Sequence, residues 1–283
     1  MKGLELAFAA VDWPLLAPLA ALLGLCVGSF LNVVVWRLPR GESLVWPGSH
    51  CPRCGRNLPW HHNLPLLSWL MLRGRCGFCQ GQISSRYPLL ELLNAGLWVL
   101  LSLPGVGRLG HPSPLLNLLA GGLLVAFLLP LALVDLDSLR LPEPLCRWGL
   151  LSGLALAAGL GALQGLGASL LIFHLMAAVL GLLSFEAVSA LAERALGTPA
   201  LGLGDAKLAA LLGAWLGLEG LAVACGLAVL SGALFGVAGR LSGKLGPRQP
   251  FPFGPFLVLG GLLSWLACDQ FWALLIGVPG QIL

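Results

Sequence analysis

Two carboxylates at the ends of apolar runs are the residues in this chain best suited to chemistry. The run from Leu203 to Leu218 opens on Gly202-Leu-Gly204-Asp205-Ala-Lys207, and the run from Leu115 to Val134 closes on Asp135-Leu-Asp137. An ionisable group is costly in lipid, so an acid kept at a membrane helix end is a candidate functional residue. A pair of such acids can hydrolyse a peptide bond. One, ionised, takes a proton from water as the water attacks the carbonyl carbon; the other, protonated, donates to the carbonyl oxygen. Asp205, in the first turn of its helix, has the positive end of the macrodipole and Lys207 to favour its anion, and is expected to start as the base. Asp135, in the last turn of its helix, is expected to start as the acid. Gly202 and Gly204 lack the Cβ that would keep an extended substrate away, although tight helix packing explains the same two glycines. Asp137 would face away from Asp135 on a continuing helix and reads as a solvated or supporting residue. Glu143, between two prolines, reads as a loop residue.

A second constellation lies in the one long polar loop, Arg37 to Arg86. Cys51-Pro-Arg-Cys54 and Cys76-Gly-Phe-Cys79 are separated by 21 residues. Two such pairs form a four-thiolate tetrahedral zinc site, at a spacing slightly longer than the commonest. A loop of this size buries little apolar surface, so a metal crosslink supplies what a core cannot. A redox pair or two disulfides would use the same cysteines, but a cytoplasmic face keeps thiols reduced. His50, His61 and His62 are read as solvated loop residues, because four thiolates already close the shell.

The frame for these groups follows from composition. The 283 residues are 58% hydrophobic and 10% charged, with a mean hydropathy of +0.90. A soluble globular chain carries about a quarter charged residues; this one is an all-α polytopic membrane protein. Runs of roughly twenty apolar residues place about eight transmembrane helices, near 15–36, 87–103, 115–134, 145–163, 168–190, 203–219, 220–239 and 255–278. A hinge at Glu219-Gly220 separates the sixth from the seventh. Three parts are expected: 1–36, the N-terminus and first helix; 37–86, the zinc loop domain; and 87–283, the helices carrying the aspartates.

Met1 to Trp13 does not resemble a cleavable signal, so the first helix is expected to be kept. With the N-terminus outside, fourteen of the sixteen Lys and Arg residues fall on the inner side, leaving Lys2 and Arg108 outside. That bias places the zinc loop and both aspartates at the cytoplasmic face. Nucleic acid is not an expected partner; membrane lipid is. Glu91, Asn94, Asn32 and Glu186 are polar groups in apolar settings, read first as interhelical contacts. Pro250-Phe-Pro-Phe-Gly-Pro-Phe256 reads as a stiff turn or as a wall of the cytoplasmic cleft.

Taken together, Gly28-Ser-Phe-Leu-Asn32 with Arg37-Leu-Pro39, the four-cysteine loop, Asn63-Leu-Pro-Leu-Leu-Ser-Trp69, Arg86-Tyr-Pro88 with Glu91, Val134-Asp135, Gly202-Leu-Gly-Asp205-Ala-Lys207 and Pro252-Phe-Gly-Pro-Phe256 resemble bacterial type IV prepilin peptidases. The likeness runs from about residue 24 to 260. It implies a bifunctional enzyme of the bacterial inner membrane. Such an enzyme cleaves the short basic leader of prepilins or type II secretion pseudopilins at the cytoplasmic face, then methylates the new N-terminal amine from S-adenosylmethionine. The resemblance places the catalytic pair on Asp135 and Asp205, the latter within a Gly-x-Gly-Asp signature shared with presenilin-like intramembrane proteases. Glu91 and the zinc loop are its candidate neighbours of the methyl donor. Glu42, Asp137 and Glu143 are candidate contacts for the basic leader, with Gly202, Gly204 and Lys207 supporting. This chain has Leu141-Pro142-Glu143 where many members read Leu-Pro-Asp, and His61-His62 where aromatic and acidic residues are usual. Two other classes use parts of the same pattern. A transporter would place its acids near the midplane within repeats, and a non-catalytic zinc-loop adaptor would need only the cysteines.

Overall fold

Long apolar runs can satisfy their backbone in lipid only as helices, and helices dominate the computed structural model. It describes residues 13–104, 106–107, 114–196, 202–244, 246 and 251–276. Lys2, Arg108, Arg248, Pro250 and the segment before Trp13 lie outside the described residues. Among the described residues eight α-helices run in order: α1 (Trp13–Arg37), α2 (Leu67–Met71), α3 (Arg86–Ser102), α4 (Pro114–Ser138), α5 (Glu143–Gln164), α6 (Ser169–Leu196), α7 (Leu203–Leu241) and α8 (Gly254–Ile276). Five of them, α1 and α4 to α7, are long and apolar enough to cross a membrane. Helix α3 has 17 residues, and α8 is interrupted at Ala267. The chain is an all-α polytopic membrane protein with its four-cysteine loop between α1 and α3. It divides into two compact units, 2–126 and 127–283, at a boundary inside α4.

In the first unit α1 and α3 pack antiparallel at backbone distance. A Cβ on Gly24 would meet the Ala95 Cα at 2.7 Å, and one on Gly28 would meet the Glu91 Cα at 2.9 Å. Gly24 and Gly28 form a small-xxx-small contact of the kind that membrane helices use for close approach. Asn94 donates to the Gly24 carbonyl at 2.6 Å, and Asn32 to the Tyr87 carbonyl at 3.2 Å. The expected role of both as interhelical contacts therefore holds.

In the second unit α7 departs from a single span. Its 39 residues would reach about 58 Å if straight, twice the roughly 30 Å hydrocarbon core. Gly217 breaks it, with φ 64° and ψ −172°, a conformation closed to residues with a Cβ. The contacts of α8 show that the chain reverses there. On the first leg Leu212 packs at Gly261 and Trp215 at Trp265. On the second, Gly220 accepts from Ser264, while Gly260 packs on Ala224 and Gly232 on Phe256. The order ascends on one leg and descends on the other. The sixth and seventh spans are thus separate, but the hinge is Gly217 rather than Glu219-Gly220. On the first leg, His174 Nδ1 bonds the Ala214 carbonyl at 2.9 Å and Trp215 donates to the Gly149 carbonyl at 2.7 Å.

Candidate active site

Four helix ends meet at one end of the second unit. Helix α4 continues to Ser138, which places Asp135 one turn before its C-terminus. Helix α7 begins at Leu203 with Asp205 in its first turn. Helix α8 begins at Gly254 and α5 at Glu143. Asp135 and Asp205, 70 positions apart in the chain, lie within electrostatic reach of one another. The structure brings together the two acids that the sequence singles out.

Each carboxylate is held by a backbone amide at a helix N-terminus. The first amides of a helix have no intrahelical acceptor. That of Gly254 donates to Asp135 Oδ2 at 2.9 Å, and that of Gly202 donates to Asp205 Oδ2 at 3.2 Å. In each case the bond engages Oδ2. Asp135 is only 5% exposed, whereas Asp205 is half-buried. The second carboxylate is the more open to water. The expectation for Asp135 considered only the negative end of α4; the first amide of α8 also reaches its Oδ2.

Gly254 is the residue that sequence reasoning missed. The Pro-Phe run was read as a turn or a wall, yet a glycine between two prolines at the start of a span was a visible source of an unpaired amide. A Cβ there would stand 2.6 Å from Asp135 Oδ2, so the close approach requires glycine.

The neighbouring candidates sort differently. Glu143 is the first residue of α5 rather than a loop residue, and it forms an ion pair with Lys207. Lys207 therefore answers Glu143, not Asp205 as its spacing suggested. Asp137 is exposed, on a face turned from buried Asp135, as the helical spacing predicted. Gly204 packs on Leu141, where a Cβ would be 3.1 Å from the Leu141 Cβ, while Gly202 has only its own helix turn nearby. Close packing thus accounts for Gly204, whereas a Cβ on Gly202 would be in ordinary contact with Asp205 Oδ2 at 3.7 Å.

The cysteine loop, in the first unit, carries a separate candidate metal centre. The sulfurs of Cys51, Cys54, Cys76 and Cys79 all lie within 4.8 Å of one another, and those of Cys51 and Cys79 are 3.9 Å apart. Tetrahedral zinc with bonds of about 2.3 Å separates its sulfurs by about 3.8 Å, so the cluster fits a metal. The two pairs fold alike. Cys51 N–H donates to the Arg56 carbonyl at 3.0 Å and Cys76 N–H to the Gly81 carbonyl at 2.9 Å. The backbone N–H groups of Cys79 and Phe78 lower the Cys76 thiol to about 7, which prepares a thiolate ligand.

Beside this cluster a cavity of about 250 Å³ is lined by Asn32, Arg37, His62, Tyr87 and Glu91. Glu91 is buried and accepts the Leu66 N–H at 2.8 Å. Arg37, also buried, ties the loop to α1 through the carbonyls of Ser43 and Gly48 at 3.0 and 3.1 Å. His62 is not the solvated residue expected. It is half-buried, and its Nδ1 is shielded with no partner among the described residues.

Residues 22–104 match the Bacterial Peptidase A24 N-terminal domain, and residues 122–237 match the Type IV leader peptidase family. The chain is 44% identical to a prepilin leader peptidase/N-methyltransferase of Myxococcus xanthus, over 83% of this chain and 67% of that protein. It is 35% identical to one of Burkholderia pseudomallei, over 96% and 92% of the two chains. It is 36% identical to an Escherichia coli type 4 prepilin-like proteins leader peptide-processing enzyme, over 87% and 92%. No solved structure matches.

Proposed function

Because the chain belongs to the type IV leader peptidase family, we propose that it removes the leader of type IV prepilins or pseudopilins and methylates the amine so exposed. The observation that carries the peptidase reading is the meeting of Asp135 and Asp205 at one bundle end, each steadied by a helix-terminal amide. Asp205, the more open, takes a proton from water as the water oxygen bonds to the scissile carbonyl carbon. Asp135 gives its proton to the carbonyl oxygen. Collapse of the tetrahedral intermediate breaks the C–N bond, and the leaving nitrogen takes a proton from the pair. As with other coupled acids, the protons belong to the pair.

The cysteine cluster, we infer, holds structural zinc, with residues 37–86 as its domain. Its closed set of four thiolates leaves no position for substrate. S-adenosylmethionine, when bound, supplies the methyl group. The cavity beside the cluster suits a charged ligand, because it offers the buried Glu91 carboxylate and the unpartnered His62 Nδ1. In that setting Glu91 would orient the ligand. Exposed Asp137 and Glu143 suit the basic leader, Glu143 in competition with Lys207.

We infer a position in the bacterial inner membrane, with the N-terminus outside and the acid pair at the cytoplasmic face. Arg140, Arg194, Lys207, Arg240 and Lys244, all at the same bundle end as the acids, support that orientation. The test is leader cleavage by purified Asp135→Asn and Asp205→Asn variants. Each is expected to lose cleavage by a factor of roughly 10³ or more while keeping its zinc and its melting profile. A variant that cleaves at the parent rate would overturn the assignment.

A further inference from the structure

Helix α2, the five-residue helix of the cysteine loop, turns apolar side chains outward. Its inner side faces the cavity beside the cysteine cluster, where Ser68, Trp69 and Leu72 form part of the wall. Its outer side carries Leu67, Leu70 and Met71, which their spacing sets on one helix face. These three are 57%, 62% and 77% exposed. A second apolar group stands out from the same loop, Val45 and Trp46, at 87% and 78%. Apolar groups left open together in a polar loop mark a surface that meets something else.

Three observations decide what covers it. The first is depth. The Leu66 N–H at the start of α2 donates to Glu91 Oε2 at 2.8 Å. Glu91 lies five residues into α3, about 7 Å along the helix axis. It is level with Gly28 of α1, nine residues before that helix ends at Arg37. Since α1 is long and apolar enough to span a membrane, α2 starts beside the embedded part of the helix pair. The second is continuity. Leu89, Leu92 and Leu93 flank Glu91 on α3 and are exposed, so the outer face of α2 extends a surface that already meets lipid. The turn bearing Val45 and Trp46 is tied down in the same way, because Arg37 donates to the carbonyls of Ser43 and Gly48 on either side of it. The third is charge. Residues 38–85 hold five arginines and one acid, Glu42. Arg73 and Arg75 follow directly on α2 and are exposed. Basic groups beside an apolar face fit anionic headgroups above an acyl layer.

We propose that α2, with Val45 and Trp46, is an interfacial membrane anchor. Its outer face enters the boundary between headgroups and acyl chains on the side where α1 ends, and its partner is the bilayer surface. The depth of about 7 Å along α3 agrees with the roughly 5–10 Å at which interfacial helices lie, and Trp46 has the side chain that favours this level. The consequence is positional. A cavity walled by a helix lying in the interface is held at headgroup level, where a chain anchored in the bilayer presents the end that leaves it. The proposal stands on the first unit alone.

The test uses the full chain in nanodiscs of phosphatidylethanolamine and phosphatidylglycerol, with a fluorescent amino acid in place of Met71, a side chain that projects from the fold. Lipids brominated near the headgroup end of their acyl chains are expected to cut its emission by at least about half, because the label sits at interfacial depth. Iodide in the water should leave it almost unchanged. A second reading puts a benzophenone amino acid in place of Leu70, which is expected to crosslink to lipid on illumination. Quenching by iodide with none from the brominated lipid leaves the face in water and overturns the proposal. Crosslinks to residues 127–283, or to a second copy of the chain, overturn it in favour of a protein partner. Neither measurement reads cleavage or methyl transfer, so failure here leaves the proposed function standing.

Discussion

Gly254→Ala is the sharpest test of how the site is built, because it leaves both acids in place and alters only the amide that holds one of them. The added Cβ would lie 2.6 Å from Asp135 Oδ2, 3.1 Å from its Cγ and 3.3 Å from its Cβ. Ordinary contact needs about 3.4 Å or more, so the carboxyl must retreat by most of an ångström and the 2.9 Å bond from Gly254 N–H is lost or bent. A hydrogen bond to a charged group is worth about 1.5–3 kcal/mol, which corresponds to roughly 10- to 150-fold in rate. The displacement of a reacting group by about 1 Å is of the same order. The assay is leader cleavage by protein in nanodiscs, with melting followed in parallel. We expect kcat to drop within that range and the melting temperature to move little. Gly226→Ala is the control, because a Cβ there meets nothing within 4 Å; its kcat should match the parent. If Gly254→Ala keeps more than half of the parental kcat, the amide does not position Asp135 and the four-helix-end description of the site is wrong.

Other expectations follow from the same geometry. Gly24→Leu drives its side chain into the α3 backbone, where even a Cβ would be 2.7 Å from Ala95 Cα. It should cost about 3 kcal/mol or more, read as a fall in melting temperature, whereas Gly96→Ala, with nothing within 4 Å, should not. Lys207→Met should cost no more than about 1 kcal/mol of stability, because the side chains of its ion pair with Glu143 are 44% and 58% exposed. Chelation should strip one metal per chain and expose the segment 43–83 to protease; unchanged digestion would argue against a structural metal. All four thiols must give up their protons to bind the metal, so metal titrated from pH 8 to pH 6 should bind progressively more weakly.

Much of this molecule is legible in the residues alone. Apolar runs with few charges can only be helices in lipid, two Cys-x-x-Cys pairs in a loop too small for a core call for a metal, and acids at membrane edges are too costly to be idle. These are local properties of composition and spacing. The sequence also separated the sixth and seventh spans, because the apolar stretch over 203–239 holds two runs of about twenty residues. It put the hinge two residues late, since Glu219 is the conspicuous polar residue while the positive φ that turns the chain falls on Gly217.

What the tertiary structure alone decided is which groups from different helices share a point in space. Lys207 lies two residues from Asp205, yet it pairs with Glu143, 64 positions away, because α5 and the first leg of α7 run side by side. Gly254 reaches Asp135 across 119 positions, and nothing in a run of prolines and phenylalanines states which carboxylate its amide will meet. Spacing within a helix is set by the 3.6-residue turn and can be read directly. Pairing between helices is set by how their small residues let backbones approach, and that is a property of the packed bundle.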